Sequence, residues 1–84
     1  MGTLRLLYFA WVREGLGRGE ETVDPGDAAT VGDLLDRLAK REPYRTTFAD
    51  RARLRAALDQ RFVTPDAPLT GARELAIFPP VTGG

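Results

Sequence analysis

The chain has 84 residues and a mass of 9.2 kDa, which is room for one small domain spanning residues 1–84. Twelve basic residues balance twelve acidic ones, so we expect neither nucleic acid nor a membrane surface as a partner held by bulk charge. Cysteine and histidine are both absent, which excludes disulfides, Cys/His zinc sites, thiol nucleophiles and imidazole bases, and makes a self-sufficient enzyme a poor expectation.

The N-terminal third predicts two strands. Leu4 to Phe9 is short and apolar, and its alternation puts Leu4, Leu6 and Tyr8 on one face. The stretch from Ala10 to Leu16 is compatible with a brief helical turn, and Glu20 to Val23 predicts the second strand. The chain has no signal-peptide pattern and no apolar run near the 18 or so residues of a membrane span, so a cytoplasmic location is expected.

One long helix is predicted next. Thr30 is a natural N-cap, with Asp33 three residues later, and Pro43 should stop the helix near Arg41. A single apolar stripe has helical spacing: Val31, Leu34, Leu35 and Leu38.

The remaining elements are strands. After an unassigned stretch, 44–53, we predict strands at Leu54 to Leu58 and Arg61 to Val63 around an Asp59-Gln60 turn, and a last strand from Glu74 to Pro79. This order predicts an α+β fold, a mixed sheet with one main helix packed on one face. A β-grasp fits it best, and a split βαβ arrangement less well, since that would need a second real helix.

The opposite sheet face, here called the outer face, is left with four large apolar residues: Leu7, Phe9, Phe62 and Phe78. A small monomer should not expose such a cluster without a partner, so a docking surface is predicted. The alternative is a minor second core covered by the 44–53 segment.

Three charged or glycine-rich motifs favour structural interpretations. Gly15 to Glu20 lacks the third glycine of a dinucleotide fingerprint and suggests a flexible hairpin loop. The pair Glu20/Glu21 is predicted to lie on a solvent face rather than in an acid–base site. Arg51, Arg53 and Arg55 alternate, so in a strand they would share one face, either as a solvated surface or as a docking patch for an acidic partner.

The C-terminal sequence is Phe78-Pro79-Pro80-Val81-Thr82-Gly83-Gly84. The prolines should stop the last strand and stiffen the segment that leaves it. Two glycines without side chains could thread a narrow channel that excludes other residues, although a frayed end is the alternative.

With these residues the chain resembles the ubiquitin-like sulfur carriers of the MoaD/ThiS family, and most of all the molybdopterin synthase small subunits. The resemblance covers nearly the full length, from Leu6-Leu7-Tyr8-Phe9-Ala10 and Arg13-Glu14 to the Phe-Pro-Pro-Val-Thr-Gly-Gly ending. Asp59 stands where the family often has Asn, and Asp tolerates the same left-handed geometry. The resemblance implies a ubiquitin-like β-grasp with a protruding 78–84 tail.

The resemblance also implies a mechanism. A ubiquitin-activating-like adenylyltransferase would use ATP to adenylate Gly84, and a sulfur donor would convert it to a thiocarboxylate; the chain itself would bind no cofactor or metal. The tail would then enter the large subunit of molybdopterin synthase and give sulfur to cyclic pyranopterin monophosphate. Gly83, Thr82, Val81, Pro80 and Pro79 would form the inserted tail, and Phe9, Leu7, Phe62, Phe78 and Arg13 the partner-binding surface.

Three other functions remain open on the residues alone. They are a protein modifier joined through Gly84, a sulfur carrier of the thiamine or another thiolation pathway, and a plain interaction module.

Overall fold

The computed structural model describes residues 2–80, whose strands occur in the predicted order. The strands are β1 (Leu4–Tyr8), β2 (Glu20–Val23), β3 (Arg55–Leu58), β4 (Arg61–Val63) and β5 (Glu74–Phe78). The helices are α1 (Ala10–Leu16), α2 (Val31–Leu38) and α3 (Tyr44–Thr47), and a 3₁₀ turn covers Arg51–Arg53. Within residues 2–80, each helix is too short or too polar to cross a membrane.

The strands form one mixed sheet in the order β2-β1-β5-β3-β4. β1 and β5 are parallel at its centre, and the other neighbours are antiparallel. α2 connects the two halves of the chain and packs on one face of the sheet. This arrangement confirms the predicted ubiquitin-like β-grasp and the α+β class.

The core lies between α2 and the sheet face predicted from strand alternation. Leu6 and Leu75 are fully buried there, and Ile77 is 1% exposed. The apolar stripe of α2 packs onto them, with Leu38 partly buried at its edge. Alternate residues of β1 and β5 and the apolar stripe of α2 therefore pack against each other in one apolar layer.

α2 begins where its cap predicts and ends earlier than expected. The Thr30 hydroxyl accepts from the Asp33 backbone N–H at 3.1 Å, and the Asp33 carboxylate accepts from the Thr30 N–H at 3.2 Å, which completes a capping box. The regular helix stops at Leu38 instead of near Arg41. The N–H of Arg41 donates to the Leu38 carbonyl, so a tighter three-residue turn carries the chain to the predicted end.

The unassigned 44–53 segment contributes to the core on the α2 side of the sheet. Tyr44 and Phe48 are both buried, with ring centroids 5.9 Å apart. The alternative that this segment covers the outer face is therefore wrong.

Candidate functional site

The register of the sheet places one row of side chains across the outer face. Leu7 pairs with Ala76, Ala76 with Ala57, and Ala57 with Phe62. Residues that pair directly point to the same side of a sheet. Ala57 is buried, yet it does not belong to the core cluster, as expected for a small residue beneath larger outer-face neighbours. The two alanines thus form a low floor between Leu7 and Phe62, and neither was among the residues predicted for this face.

Two aromatic rings lie next to each other beside this floor. Phe62 and Phe78 stack with centroids 5.7 Å apart and planes tilted by 42°. Phe62 is 81% exposed, more than any other large hydrophobic side chain in residues 2–80, whereas Phe78 is half-buried. Phe9 is 49% exposed, and its N–H donates to the Ile77 carbonyl, so it lies at the end of the sheet where β5 finishes. All four predicted outer-face residues are therefore on one side of the sheet.

A groove of ≈ 590 Å³ continues the outer face toward β2. Leu7, Phe9 and Arg13 are among its lining residues. Arg13 packs along the backbone of Gly19, because a Cβ built on that glycine would lie 3.3 Å from the arginine Nε. The structure thus brings the predicted cation, Arg13, next to two of the predicted apolar residues.

The C-terminal segment that follows the last strand leaves the sheet next to the outer face. β5 lies between β1 and β3 and ends at Phe78, one residue before the predicted end. Pro79 and Pro80 follow as half-buried residues without strand pairing. The remaining predicted tail residues, Val81, Thr82, Gly83 and Gly84, lie outside the described residues.

Glu21 is not the solvent-facing carboxylate that the sequence suggested. Its Oε2 accepts from the Tyr8 hydroxyl at 2.7 Å and from the Tyr44 hydroxyl at 2.6 Å, and Arg18 pairs with Oε1 at 3.0 Å. Burial raises the pKa of Glu21, but the hydrogen bonds from Tyr44 and Tyr8 and the charge of Arg18 together hold that pKa below its ordinary value. The cluster ties β1, β2 and α3 together and offers no free acid or base.

The three alternating arginines do not lie in one strand, so the shared face expected for a strand does not form. Arg51 and Arg53 belong to the 3₁₀ turn, where the Asp50 carboxylate accepts from the Ala52 backbone N–H. Arg51 turns toward α2 and pairs with Asp36 at 2.8 Å. Only Arg55 lies in a strand. Local capping by Asp50 competes with strand formation, and this decides the conformation.

The glycine-rich motif has a structural role. Gly15 lies inside α1, and Gly17 ends that helix with φ 75°, a left-handed cap that favours glycine. No group of three or more metal-ligating side chains occurs among residues 2–80. The candidate functional site is therefore the outer face with the C-terminal segment that leaves it.

Comparisons with known proteins show which family the chain resembles in sequence and in fold. The sequence model of the ThiS family matches residues 6–84. The chain is 38% identical to the molybdopterin synthase sulfur carrier subunit of Escherichia coli, over 96% of this chain and 99% of that one. It is 35% identical to the subunit of the same name from Chlamydomonas reinhardtii, over 96% and 98%. The crystal structure of small archaeal modifier protein 1 from Haloferax volcanii superposes with a TM-score of 0.71 at 25% identity, covering 96% of this chain and 100% of that one.

Proposed function

This chain belongs to the ThiS family, and from that premise we propose that it is the sulfur carrier subunit of a molybdopterin synthase. One observation carries the proposal beyond the family: the apolar outer face lies beside the end of β5, where the C-terminal segment leaves the sheet. A carrier needs such a surface, because a partner must hold the domain while the tail reaches a remote reaction centre.

The reacting group in this proposal is the carboxylate of Gly84. A carboxylate is a poor acyl donor, so its oxygen first attacks the α-phosphorus of ATP, and pyrophosphate leaves. A sulfur nucleophile at the oxidation level of sulfide then attacks the acyl carbon of the adenylate, and AMP leaves with the C–O bonding pair. The product is a thiocarboxylate. An adenylyltransferase partner carries out these steps, consistent with a chain that contains no cysteine or histidine.

The tail then carries the sulfur into the large subunit, which holds cyclic pyranopterin monophosphate. Gly83 and Gly84 have no side chains and so suit a narrow channel, with Val81 and Thr82 behind them. Pro79 and Pro80 restrict the backbone where the tail leaves the domain, which lowers the conformational entropy lost on insertion.

The outer face is the surface that we assign to the large subunit. Phe62 and Phe78 supply a rigid aromatic pair, and the alanine floor beside them leaves space for a partner side chain. Such aromatic anchors commonly dominate the free energy of binding at interfaces. Arg13 lies at the margin of the apolar region, where a charged contact adds orientation more than affinity.

The test is intact-mass analysis after incubation with a ThiS-family activating enzyme, ATP and sulfide. We expect one oxygen of the C-terminal carboxyl to be replaced by sulfur, and the loaded chain to convert the pterin substrate when the large subunit is added. A variant lacking Gly84 is the matched control and should gain no sulfur. An unchanged mass for the complete chain, under conditions that load the Escherichia coli carrier, would contradict the proposal.

The likeness to small archaeal modifier protein 1 favours a second candidate, a protein modifier that forms an isopeptide bond through Gly84. It predicts conjugates of higher mass in cells, and these should disappear when Gly84 is deleted. Immunoblotting of an epitope-tagged chain distinguishes this candidate from the carrier function.

A further inference from the structure

A basic patch lies next to the outer face on the 3₁₀ turn and the start of β3. We call Arg53, Arg55 and Trp11 the arginine patch. The Arg53 guanidinium carbon lies 5.1 Å from the centroid of the Trp11 ring, in a cation–π contact. Leu54 between the two arginines is extended and buried, so the flanking arginines face outward, and both are exposed.

Both guanidinium groups are held in place, and neither forms an ion pair with a carboxylate of residues 2–80. Arg55 donates through one nitrogen to the Ala52 carbonyl at 3.1 Å and to the Leu54 carbonyl at 2.8 Å. The ion pairs found in residues 2–80 involve four other arginines: Arg5, Arg18, Arg37 and Arg51. A positioned guanidinium loses less side-chain entropy when it binds than a freely rotating one.

The arginine patch adjoins the point where the C-terminal segment leaves the sheet. Arg55 pairs directly with Phe78 across β3 and β5, so the patch is continuous with the outer face at the end of the last strand. A partner that covers Phe78 would also meet Arg55.

We propose that the arginine patch binds an acidic surface on the large subunit, beside the opening that receives the tail; this rests on the proposed function. Arginine forms paired hydrogen bonds with a carboxylate. Attraction between the arginine patch and an acidic surface beside the opening would orient the domain so that its C-terminal segment faces the opening. This charged contact orients the domain on the large subunit, which the apolar outer face binds.

The charges on the outer face favour a protein carboxylate over a nucleic-acid backbone. The strand register puts Glu20 and Glu74 on this same side of the sheet, paired with Leu7 and Arg5 respectively. A continuous polyanion lying on the outer face would meet these carboxylates, whereas a localised acidic patch would meet only the arginines.

The experiment compares association rates with the large subunit for two double charge reversals. Arg53→Glu with Arg55→Glu removes the arginine patch. The matched control is Arg61→Glu with Arg73→Glu, which makes the same change in net charge at exposed positions next to the Asp59-Gln60 turn, at the other end of the sheet. We expect the association rate of the patch variant to fall roughly tenfold at low salt, and that of the control by less than about twofold.

Salt dependence and a local probe make the result specific. The deficit of the patch variant should shrink in about 0.5 M salt, because screening removes long-range attraction. Trp11 is the single tryptophan, so 5-fluorotryptophan labelling gives one ¹⁹F resonance at the patch, which should shift when unlabelled large subunit binds. Circular dichroism melts show whether each variant is folded. If the patch variant is unfolded, Arg53→Gln with Arg55→Gln is measured in its place.

Each outcome has a clear meaning. Equal rates for patch variant, control and wild type, or a ¹⁹F resonance unchanged in a complex that forms, would overturn the inference while leaving the carrier function standing. Complete failure of the wild-type chain to bind the large subunit would instead contradict the proposed function, and the inference with it.

Discussion

At the scale of single residues, Asp59 shows how one side chain organises a hairpin and the start of the next strand. Asp59 and Gln60 form the two-residue turn with φ values of 49° and 73°, as expected for a tight hairpin between twisted strands. The Asp59 carboxylate also accepts from the backbone N–H groups of Arg73 and Glu74, both at 3.0 Å. The residue therefore links the β3–β4 turn to β5.

We expect Asp59→Ala to lower the free energy of unfolding by about 2 kcal/mol, because it places alanine in the left-handed region and leaves two N–H groups without their acceptor. Asp59→Asn keeps an oxygen acceptor and tolerates the same backbone, so it should stay within about 0.5 kcal/mol of wild type. Urea denaturation measures both. Equal losses for the two variants would show that the acceptor and the backbone geometry are not what matters at this position.

Glu21 predicts how stability responds to acid. The pKa of Glu21 is lower in the folded chain than its ordinary value, because the hydrogen bonds from Tyr44 and Tyr8 and the charge of Arg18 outweigh burial. Its stabilising contribution is therefore complete above the ordinary glutamate pKa of about 4.3 and is lost as pH falls through the folded-state pKa. The free energy of unfolding should decline below about pH 5, and less steeply in Glu21→Gln.

Urea denaturation at several pH values from neutral to acid measures how the free energy of unfolding changes with pH. Glu20→Gln is the matched control, since it removes the neighbouring carboxylate from an exposed position where it pairs with Arg5. If Glu21→Gln and wild type lose stability in parallel, the tyrosine–carboxylate cluster is not the source of the acid sensitivity.

At the scale of elements, the packing of α1 on α3 explains why a helix contains a glycine. A Cβ on Gly15 would lie 2.7 Å from the hydroxyl oxygen of Thr47 and 3.1 Å from its methyl carbon. Thr47 is only 9% exposed, so it has little room to move. The glycine therefore allows the two helices to approach closely.

Gly15→Ala should destabilise the wild-type chain by about 1 kcal/mol or more, because the clash exceeds the gain in helix propensity. In a Thr47→Ala background the obstructing atoms are gone, and the same change should stabilise by up to about 1 kcal/mol. A double-mutant cycle in urea measures this reversal of sign. Additive effects would mean that Thr47 does not limit the approach of α1.

At the scale of the whole molecule, the outer face separates binding from stability. Phe62 is 81% exposed, so Phe62→Ala should change the free energy of unfolding by less than about 0.5 kcal/mol. Its binding to the large subunit should weaken by about 2 kcal/mol or more, as for an aromatic anchor at an interface centre. Phe78→Ala should weaken binding similarly and cost more stability, because that ring is half-buried.

Calorimetric titration with the large subunit, alongside thermal melts, tests both quantities. Arg61→Ala on the same strand, β4, is the control and should leave both near wild type. Normal binding by Phe62→Ala would place the partner elsewhere on the molecule.

Local periodicity and short motifs determined most of the fold from the sequence. Strand alternation identified Leu6 and Ile77 as core, helical spacing identified the α2 stripe, and the capping pair placed the start of α2 correctly. These features depend on residues within one or two turns of each other, so no tertiary information is needed to recognise them. For the same reason, the C-terminal motif and the four outer-face residues could be identified from the sequence as candidate site residues.

Tertiary structure alone decided the features that join residues distant in sequence. Tyr44 meets Glu21 across 23 positions, and the pairings of Ala57 with Ala76 and with Phe62 set its neighbours on the outer face. The arginine patch depends on a cap by Asp50 and on a tryptophan in another helix, neither of which alternation along the chain can reveal. Strand register and helix docking set these contacts, because their free energy comes from packing between elements rather than from the preferences of any one segment.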